Sequence, residues 1–313
     1  MDKKIFCIGG ATIDYKLKSI HSLELSTSNP VSSIMTFGGV AHNVALNLAH
    51  LTDKIFFQSV IGNDSDGLQL LKNLQDKNIN TEKSIILENN LTARYYAVLD
   101  HSGEMHIALI DMMIYETIPF DTFTSSWNTW QQDNIVFIDT NLPTQFLEYA
   151  IHLSHLKKLK LCIDPVSISK AKKIPFSLEG VFLIKPDRYE LCSLTNMPVT
   201  SIEDCMKAAT CLLKRGVNNI IVSLGSLGYI LVNENMQKHF DAVTVNSIVD
   251  VSGAGDAFIA GVLYELKQDA TLVEACETGA KTAALTVQSQ HTVSPDMCLS
   301  NLNKKENKYA EFY

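Results

Sequence analysis

The chain reads as an α/β protein: a mostly parallel open sheet flanked by helices, with a small β-sheet lid set against it. Three observations predict this. Short apolar runs rich in β-branched residues recur along the chain, the mark of strands buried on both faces. Segments with apolar residues at helical spacing lie between them, which implies βαβ units. One stretch, 94–111, breaks that rhythm with two extended runs around a polar turn.

Taken in order, Ile5–Ile8 opens the sheet and runs into Gly9-Gly10. Tyr15–Ser19 and Ser33–Phe37 are extended segments off the main sheet. Val40, Val44, Ala45, Leu48 and Leu51 fall on one helical face, and Ile55–Ile61 reads as one further strand. Arg94–Asp100 and Met105–Ile110 make a hairpin about His101-Ser102-Gly103-Glu104. Ile135–Ile138, Leu159–Ile163, Val181–Ile184, Ile220–Leu224 and Tyr229–Val232 continue the sheet, and Ala254, Phe258, Val262, Leu263 and Leu266 mark a late helix. The segments near 14–19, 33–37 and 94–111 read as a lid or dimer surface, or else as an edge extension of the main sheet. With no repeat, low-complexity tract or long charge block to supply a linker, 1–313 reads as one domain.

Lys and Arg number 26 against 34 Asp and Glu, a net charge of −8, and no basic cluster suits nucleic acid or an anionic membrane. A small anionic ligand, which needs only local donors, stays open. Seven scattered cysteines with no C-x-x-C pair argue against a disulfide framework or a zinc site. Only Ile5–Ile8 is apolar between Lys3-Lys4 and Gly9-Gly10, too short for a signal-peptide core, and no run reaches the roughly 18 apolar residues of a membrane span. A cytoplasmic location is expected.

Asp250-Val251-Ser252-Gly253-Ala254-Gly255-Asp256 leads into the late helix. Gly253, Ala254 and Gly255 let first-turn N–H groups face an anion without a large side chain in the way. Asp256 would repel a bound phosphate, but it makes sense as a base that takes the proton from an attacking hydroxyl. A tight turn with an acidic helix start accounts for the same residues. Phe37-Gly38-Gly39-Val40-Ala41-His42-Asn43 is a second glycine-opened helix, read either as close backbone approach to a ligand or as packing.

In order and separation these segments resemble the two signature regions of the ribokinase-like (PfkB) carbohydrate kinase family, and the resemblance runs over the whole chain. Gly9-Gly10-Ala11-Thr12-Ile13-Asp14 resembles its early substrate-binding aspartate, Lys185-Pro186-Asp187-Arg188-Tyr189-Glu190 its N-x-x-E motif, and Ser223-Leu224-Gly225-Ser226-Leu227-Gly228 its nucleotide turn. Asp187 stands where that family has Asn, and Val251-Ser252 where Thr-Thr is frequent.

The resemblance implies a kinase using ATP and Mg²⁺ on a small sugar or nucleoside. Asp14 and Asn43 would hold ribose hydroxyls, with Gly38 and Gly39 close to the sugar. Asn141 is equally a sugar contact or a loop asparagine ahead of Pro143. Asp256 would be the base and Gly253, Ala254 and Gly255 the anion hole. Glu190 would reach magnesium through water. Lys185 would approach the ATP phosphates or is a surface lysine. Ser223, Gly225 and Gly228 would shape the nucleotide turn beside Asp187, and Ala280, Ala283 and Ala284 leave room for adenine or pack a helix. Asp250, with the loop around Ser294, matches the place where relatives bind potassium.

Ser28-Asn29-Pro30, Gly103-Glu104-Met105, Ile110-Asp111-Met112 and Asp164-Pro165-Val166-Ser167 resemble one branch, whose members phosphorylate the 5′-hydroxyl of a C-linked ribonucleoside. Asn29 and Asp111 would then meet the base; as plain turn residues they need no ligand. A ribokinase- or fructokinase-like sugar kinase is the rival, and a catalytically silent sugar or nucleoside sensor the reading from another class. Homodimer formation through the lid is expected.

Overall fold

The computed structural model describes residues 3–302. Its strands are β1 (Ile5–Ile8), β2 (Thr12–Ser19), β3 (Val31–Gly38), β4 (Ile55–Gln58), β5 (Val60–Gly62), β6 (Ile85–Leu87), β7 (Arg94–Leu99), β8 (Met105–Asp111), β9 (Ile135–Asp139), β10 (Lys160–Asp164), β11 (Val181–Ile184), β12 (Asn219–Ser223), β13 (Tyr229–Asn233) and β14 (Met236–Phe240). The helices are α1 (Val40–Ala49), α2 (Ser65–Gln75), α3 (Phe120–Thr124), α4 (Thr144–Lys157), α5 (Ile168–Ala171), α6 (Arg188–Thr195), α7 (Ile202–Leu213), α8 (Ala254–Lys267), α9 (Leu272–Val287) and α10 (Leu299–Leu302). None is long and apolar enough to cross a membrane among the described residues.

The main sheet has the order β14-β13-β12-β11-β10-β9-β1-β4. From β4 to β12 every pairing is parallel, while β12, β13 and β14 pair antiparallel. The reversal follows from chain length. Only residues 224–228 join β12 to β13, far too few for a parallel crossover. Alternation along each strand feeds two cores. Ile5, Cys7, Ile135 and Phe137 pack with α1 and α8 on one face, while Ile8, Val136 and Ile138 pack with α4 and α7 on the other. Burial on both faces is why these strands read as unbroken apolar runs.

The Ile55–Ile61 run proves to be two strands, not one. β4 ends at Gln58, and β5 leaves the main sheet to pair with β6. Ser59 marks the break: its buried hydroxyl donates to the Gly9 carbonyl, and its N–H donates to Ser84 Oγ.

The other extended segments form a sheet of their own, β3-β2-β7-β8, rather than an edge of the main one. Two antiparallel hairpins, β2–β3 and β7–β8, are joined along a parallel β2–β7 seam. β8 is exposed along its whole length.

Candidate active site

The loops after β1, β9, β10 and β11 open at the carboxyl edge of the sheet, where α1 and α8 also begin. This edge is where open parallel sheets bind ligands. Its anchor is Asp139, the fully buried last residue of β9. Asp139 Oδ2 accepts the Gly10 N–H at 2.8 Å and the Ala41 N–H at 3.0 Å, and Oδ1 accepts the Asn141 N–H at 2.9 Å. Burial pushes this carboxyl up, and the three N–H donors oppose that shift. Sequence reasoning passed over Asp139. The available signal was a carboxylate ending an otherwise apolar strand, which must find donors wherever it is buried.

The two glycine-opened helices differ in what their first turns offer. At α1 the free amides are already used, with Ala41 N–H on Asp139 and His42 N–H on the Gly10 carbonyl at 3.1 Å. Gly39 has φ +100°, and a Cβ there would lie 2.4 Å from that carbonyl; a Cβ on Gly38 would lie 2.0 Å from Asp14 Oδ2. Both glycines therefore make room for the protein's own groups. Asp14 also accepts from Thr12 Oγ1 at 2.7 Å, and burial raises its carboxyl above the usual range. Asn141 packs over Gly10 and accepts from Lys170 Nζ, a neighbour that sequence reasoning did not single out.

At α8 the Ala254 N–H, expected in the anion hole, donates to the Val251 carbonyl at 3.3 Å, but the next two amides remain available. Gly253 caps the helix at φ +77°, and the N–H groups of Gly255 and Asp256 sit in the first turn with no intrahelical acceptor. Asn43 Nδ2 donates to Asp256 Oδ2 at 2.8 Å, so Asn43 meets the aspartate itself. Burial pushes the Asp256 carboxyl up to about 7, against the opposing effects of the Asn43 hydrogen bond and Lys185. Lys185 is 5% exposed and pairs with Asp164 Oδ2 at 3.0 Å; a Cβ on Gly255 would lie 3.5 Å from its Nζ. Burial works against that ammonium, but Asp164, Glu190 and Asp256 outweigh it and lift it to about 12. It is therefore a buried cation beside the free amides, not a surface lysine.

Glu190 is pushed up to about 7, first by burial and then by Asp164. Three carboxylates, Asp164, Glu190 and Asp256, thus share one ammonium. That excess of negative charge fits a divalent cation arriving with a nucleotide. Among the described residues no group of three His, Cys, Asp or Glu side chains is placed to hold a metal ion.

A cavity of ≈ 960 Å³ runs from this cluster along the sheet edge. Lys185, Asp187, Ser223, Gly225, Gly228, Ala280, Ala283 and Ala284 all line it. Val243, Val245 and Ile248, which sequence reasoning did not single out, add an apolar wall. Nothing stands within 4 Å of a Cβ placed on Gly225, so that turn faces open space.

Other expected residues lie elsewhere or are already engaged. Asn29 is spent on its own loop, accepting the Glu24 N–H at 2.8 Å and donating to the Glu24 and Thr27 carbonyls. Asp111 is exposed, and the register places it opposite Arg94, on the other face of the small sheet from Asp14. Asp250 Oδ2 pairs with Lys16 Nζ at 3.1 Å, and Oδ1 accepts the Ser252 N–H. These contacts outweigh burial and hold the Asp250 carboxyl below its usual range. A potassium ion at Asp250 Oδ2 would compete with the Lys16 ammonium, while Ser294 Oγ accepts the Asp296 N–H at 3.3 Å.

Asp187 in place of asparagine has a local explanation. Its Oδ1 accepts the Glu190 N–H at 2.7 Å while Glu190 Oε2 accepts the Asp187 N–H at 2.8 Å, a reciprocal cap on α6. Asparagine and aspartate serve equally as such caps. Asp187→Asn should therefore leave stability within about 0.5 kcal/mol, whereas Asp187→Ala should cost about 0.5–2 kcal/mol. Urea denaturation of both variants measures this, and equal losses would count against the cap.

A profile of the pfkB family carbohydrate kinases matches residues 2–297. The chain is 28% identical to the pseudouridine kinase of Escherichia coli over 298 residues, covering 95% of each protein. It is also 28% identical to the guanosine-inosine kinase of Exiguobacterium acetylicum, covering 94% of this chain and 98% of that one. The ribokinase of Arabidopsis thaliana, solved with ribose and ATP, superposes with a TM-score of 0.81 over 97% of this chain and 100% of the other at 18% identity, a likeness of fold. The match over nearly the whole length, on a ribokinase-like fold with a separate small sheet, places the chain in the pfkB family of carbohydrate kinases.

Proposed function

We propose that the protein is an ATP-dependent pseudouridine kinase, transferring the γ-phosphoryl group to the nucleoside's 5′-hydroxyl. The observation that carries the chemistry is the placement of Asp256. One of its oxygens is held by Asn43, while the carboxylate lies at the free amide turn of α8 and in the same cavity as Lys185. The other oxygen takes the hydroxyl proton as the 5′-oxygen bonds to the γ-phosphorus and the bond to the β,γ-bridging oxygen breaks, releasing ADP. The Gly253–Gly255 turn and Lys185 stabilise charge on the moving phosphoryl group, so most of the catalysis is positioning and electrostatics. Asp14 and Asn141 hold the sugar, Ser223, Gly225 and Gly228 the phosphate donor, and Ala280, Ala283 and Ala284 flank its adenine. Magnesium, reached by Glu190 through water, would neutralise the donor's phosphates.

Choice of acceptor rests on the similarity to the E. coli pseudouridine kinase. Ribose hydroxyls are common to all the candidate nucleosides, so discrimination must come from the base. Pseudouridine carries a ring N–H that uridine lacks, and an acceptor left unpaired by the wrong ligand rejects it strongly. Asn29 and Asp111 stand outside the pocket: the Asn29 carboxamide is engaged within its own loop, and Asp111 lies on the face of the small sheet opposite Asp14. The exposed β8 edge, with Leu109 53% and Ile110 60% exposed, suits a lid-to-lid homodimer. A location in the cytoplasm belongs to the same reading.

Three outcomes are expected. With Asp256 at about 7, kcat/KM should fall about tenfold per pH unit below that value, because the protonated carboxyl is no base. Asp256→Asn should lose that limb and about 10²–10⁴ in turnover. The folded protein binds this proton more tightly than the unfolded chain, so the ionised carboxylate destabilises the fold at high pH. Asp256→Asn should therefore melt above the parent at pH 8, with the difference vanishing below pH ~4; full activity in the variant removes Asp256 as base.

The second expectation concerns kcat/KM for pseudouridine, uridine, guanosine, inosine, ribose and fructose at fixed Mg-ATP. Pseudouridine should lead. Equal uridine and pseudouridine values leave a general nucleoside kinase, and a preference for ribose or fructose leaves a sugar kinase. The third is sedimentation equilibrium, where a dimer mass that falls to monomer in Leu109→Lys is expected; a monomeric parent removes the lid-to-lid contact.

A further inference from the structure

His42 is a fully buried imidazole that the proposed chemistry does not use. It packs edge-on to Phe57, with ring centroids 6.5 Å apart, in the apolar layer beneath α1. A phenylalanine or leucine would fill that volume without the desolvation of a polar ring. The ring makes one hydrogen bond: His42 Nδ1 lies 3.1 Å from Asn43 Oδ1. His42 Nε2 is buried and has no partner. Asn43, in turn, donates through Nδ2 to Asp256 Oδ2 at 2.8 Å.

The tautomer follows from this. An unpaired buried N–H is rarer and more costly than an unpaired acceptor lone pair, so the unpartnered Nε2 carries the lone pair and Nδ1 carries the proton. His42 then donates to Asn43 Oδ1. The opposite tautomer would accept at Nδ1, turn the Asn43 NH₂ toward the ring and point the amide oxygen at Asp256. Burial drives the imidazole pKa down to about 4, so the ring stays neutral and keeps this role through neutral pH.

We propose that His42, resting on the assignment of Asp256 as base, is a positioning residue that locks the Asn43 carboxamide with its NH₂ toward Asp256 Oδ2. The lock opposes the alternative pairing, in which a protonated Asp256 donates to a flipped Asn43 oxygen. It thereby favours the ionised carboxylate and leaves Asp256 Oδ1 for the acceptor hydroxyl. The charged groups acting on Asp256 besides this pair are Lys185, which favours ionisation, and Asp164 and Asp139, which oppose it. Against two carboxylates and one ammonium, a fixed donor on Oδ2 is a substantial share of what keeps the base usable near pH 7.

Side-chain length makes the test specific. In His42→Asn the amide nitrogen falls near the Nδ1 position, whereas in His42→Gln it falls near Nε2; His42→Phe has neither. On the full chain with its best acceptor, His42→Asn should keep kcat within about twofold and the acid limb of kcat/KM unmoved. His42→Gln and His42→Phe should raise that limb by about half a pH unit or more and lower kcat several-fold, with KM for ATP unchanged. Long-range ¹H–¹⁵N NMR of the parent should show the Nδ1–H tautomer at His42. An Nε2–H tautomer, or a folded His42→Phe or His42→Gln with the parental acid limb, overturns the proposal. The tautomer measurement stands even where a variant does not fold. An active Asp256→Asn defeats the base assignment, whereas an inactive one beside parental behaviour in His42→Gln defeats the relay alone.

Discussion

The buried carboxylate of Asp139 is the interaction on which the rest of the site depends. Its three N–H donors come from the loop after β1, the first turn of α1 and the loop after β9. A lone buried carboxylate is costly, but one with its lone pairs filled by backbone donors holds those donors in fixed geometry. Gly10 fixes the approach to Asp14, Ala41 fixes the helix that carries Asn43, and Asn141 closes the opposite wall. The Tyr115 hydroxyl reinforces the arrangement by accepting the Ala11 N–H at 2.7 Å and donating to the Ala11 carbonyl at 3.1 Å.

With that frame set, the site is defined by its electrostatic imbalance. Asp164, Glu190 and Asp256 crowd around one ammonium, and burial, aided by the neighbouring carboxylates, holds both Glu190 and Asp256 near the middle of the pH scale. A site so poised favours the arrival of positive charge and lets a carboxylate act as a proton acceptor close to neutrality. Asp250 is the contrast. It lies in the same motif but is neutralised by Lys16, and so is withdrawn from the cluster.

Much of this was legible in the sequence because the signals were local. Apolar runs gave the strands, glycines gave the helix starts, and five short motifs in order gave the family resemblance. What escaped depended on partners distant in sequence. Asp139 meets Gly10 across 129 residues and Ala41 across 98, and no spacing rule reaches that far. Ser59 looked like part of one strand because its sideways hydrogen bond to Gly9 is invisible in one dimension. Gly38 and Gly39 looked like Gly253 and Gly255, yet Gly38, Gly39 and Gly253 each make room for the protein's own groups, and only Gly255 leaves an open amide beside Lys185. Asn29 and Asp111 lie on or near a separate sheet whose pleat and turns decide where they point.

The Asn43–Asp256 hydrogen bond joins residues 213 positions apart. The three donors to Asp139 all come from the first half of the chain, whereas the core face beneath α1 also needs α8. The proposed base and its free amides come only with the final quarter of the chain. A polypeptide emerging from the ribosome therefore carries the donors to Asp139 long before that face of the core can close. Docking of α8 against α1, a contact of high sequence separation, closes that face and in the same movement brings the proposed base to Asn43.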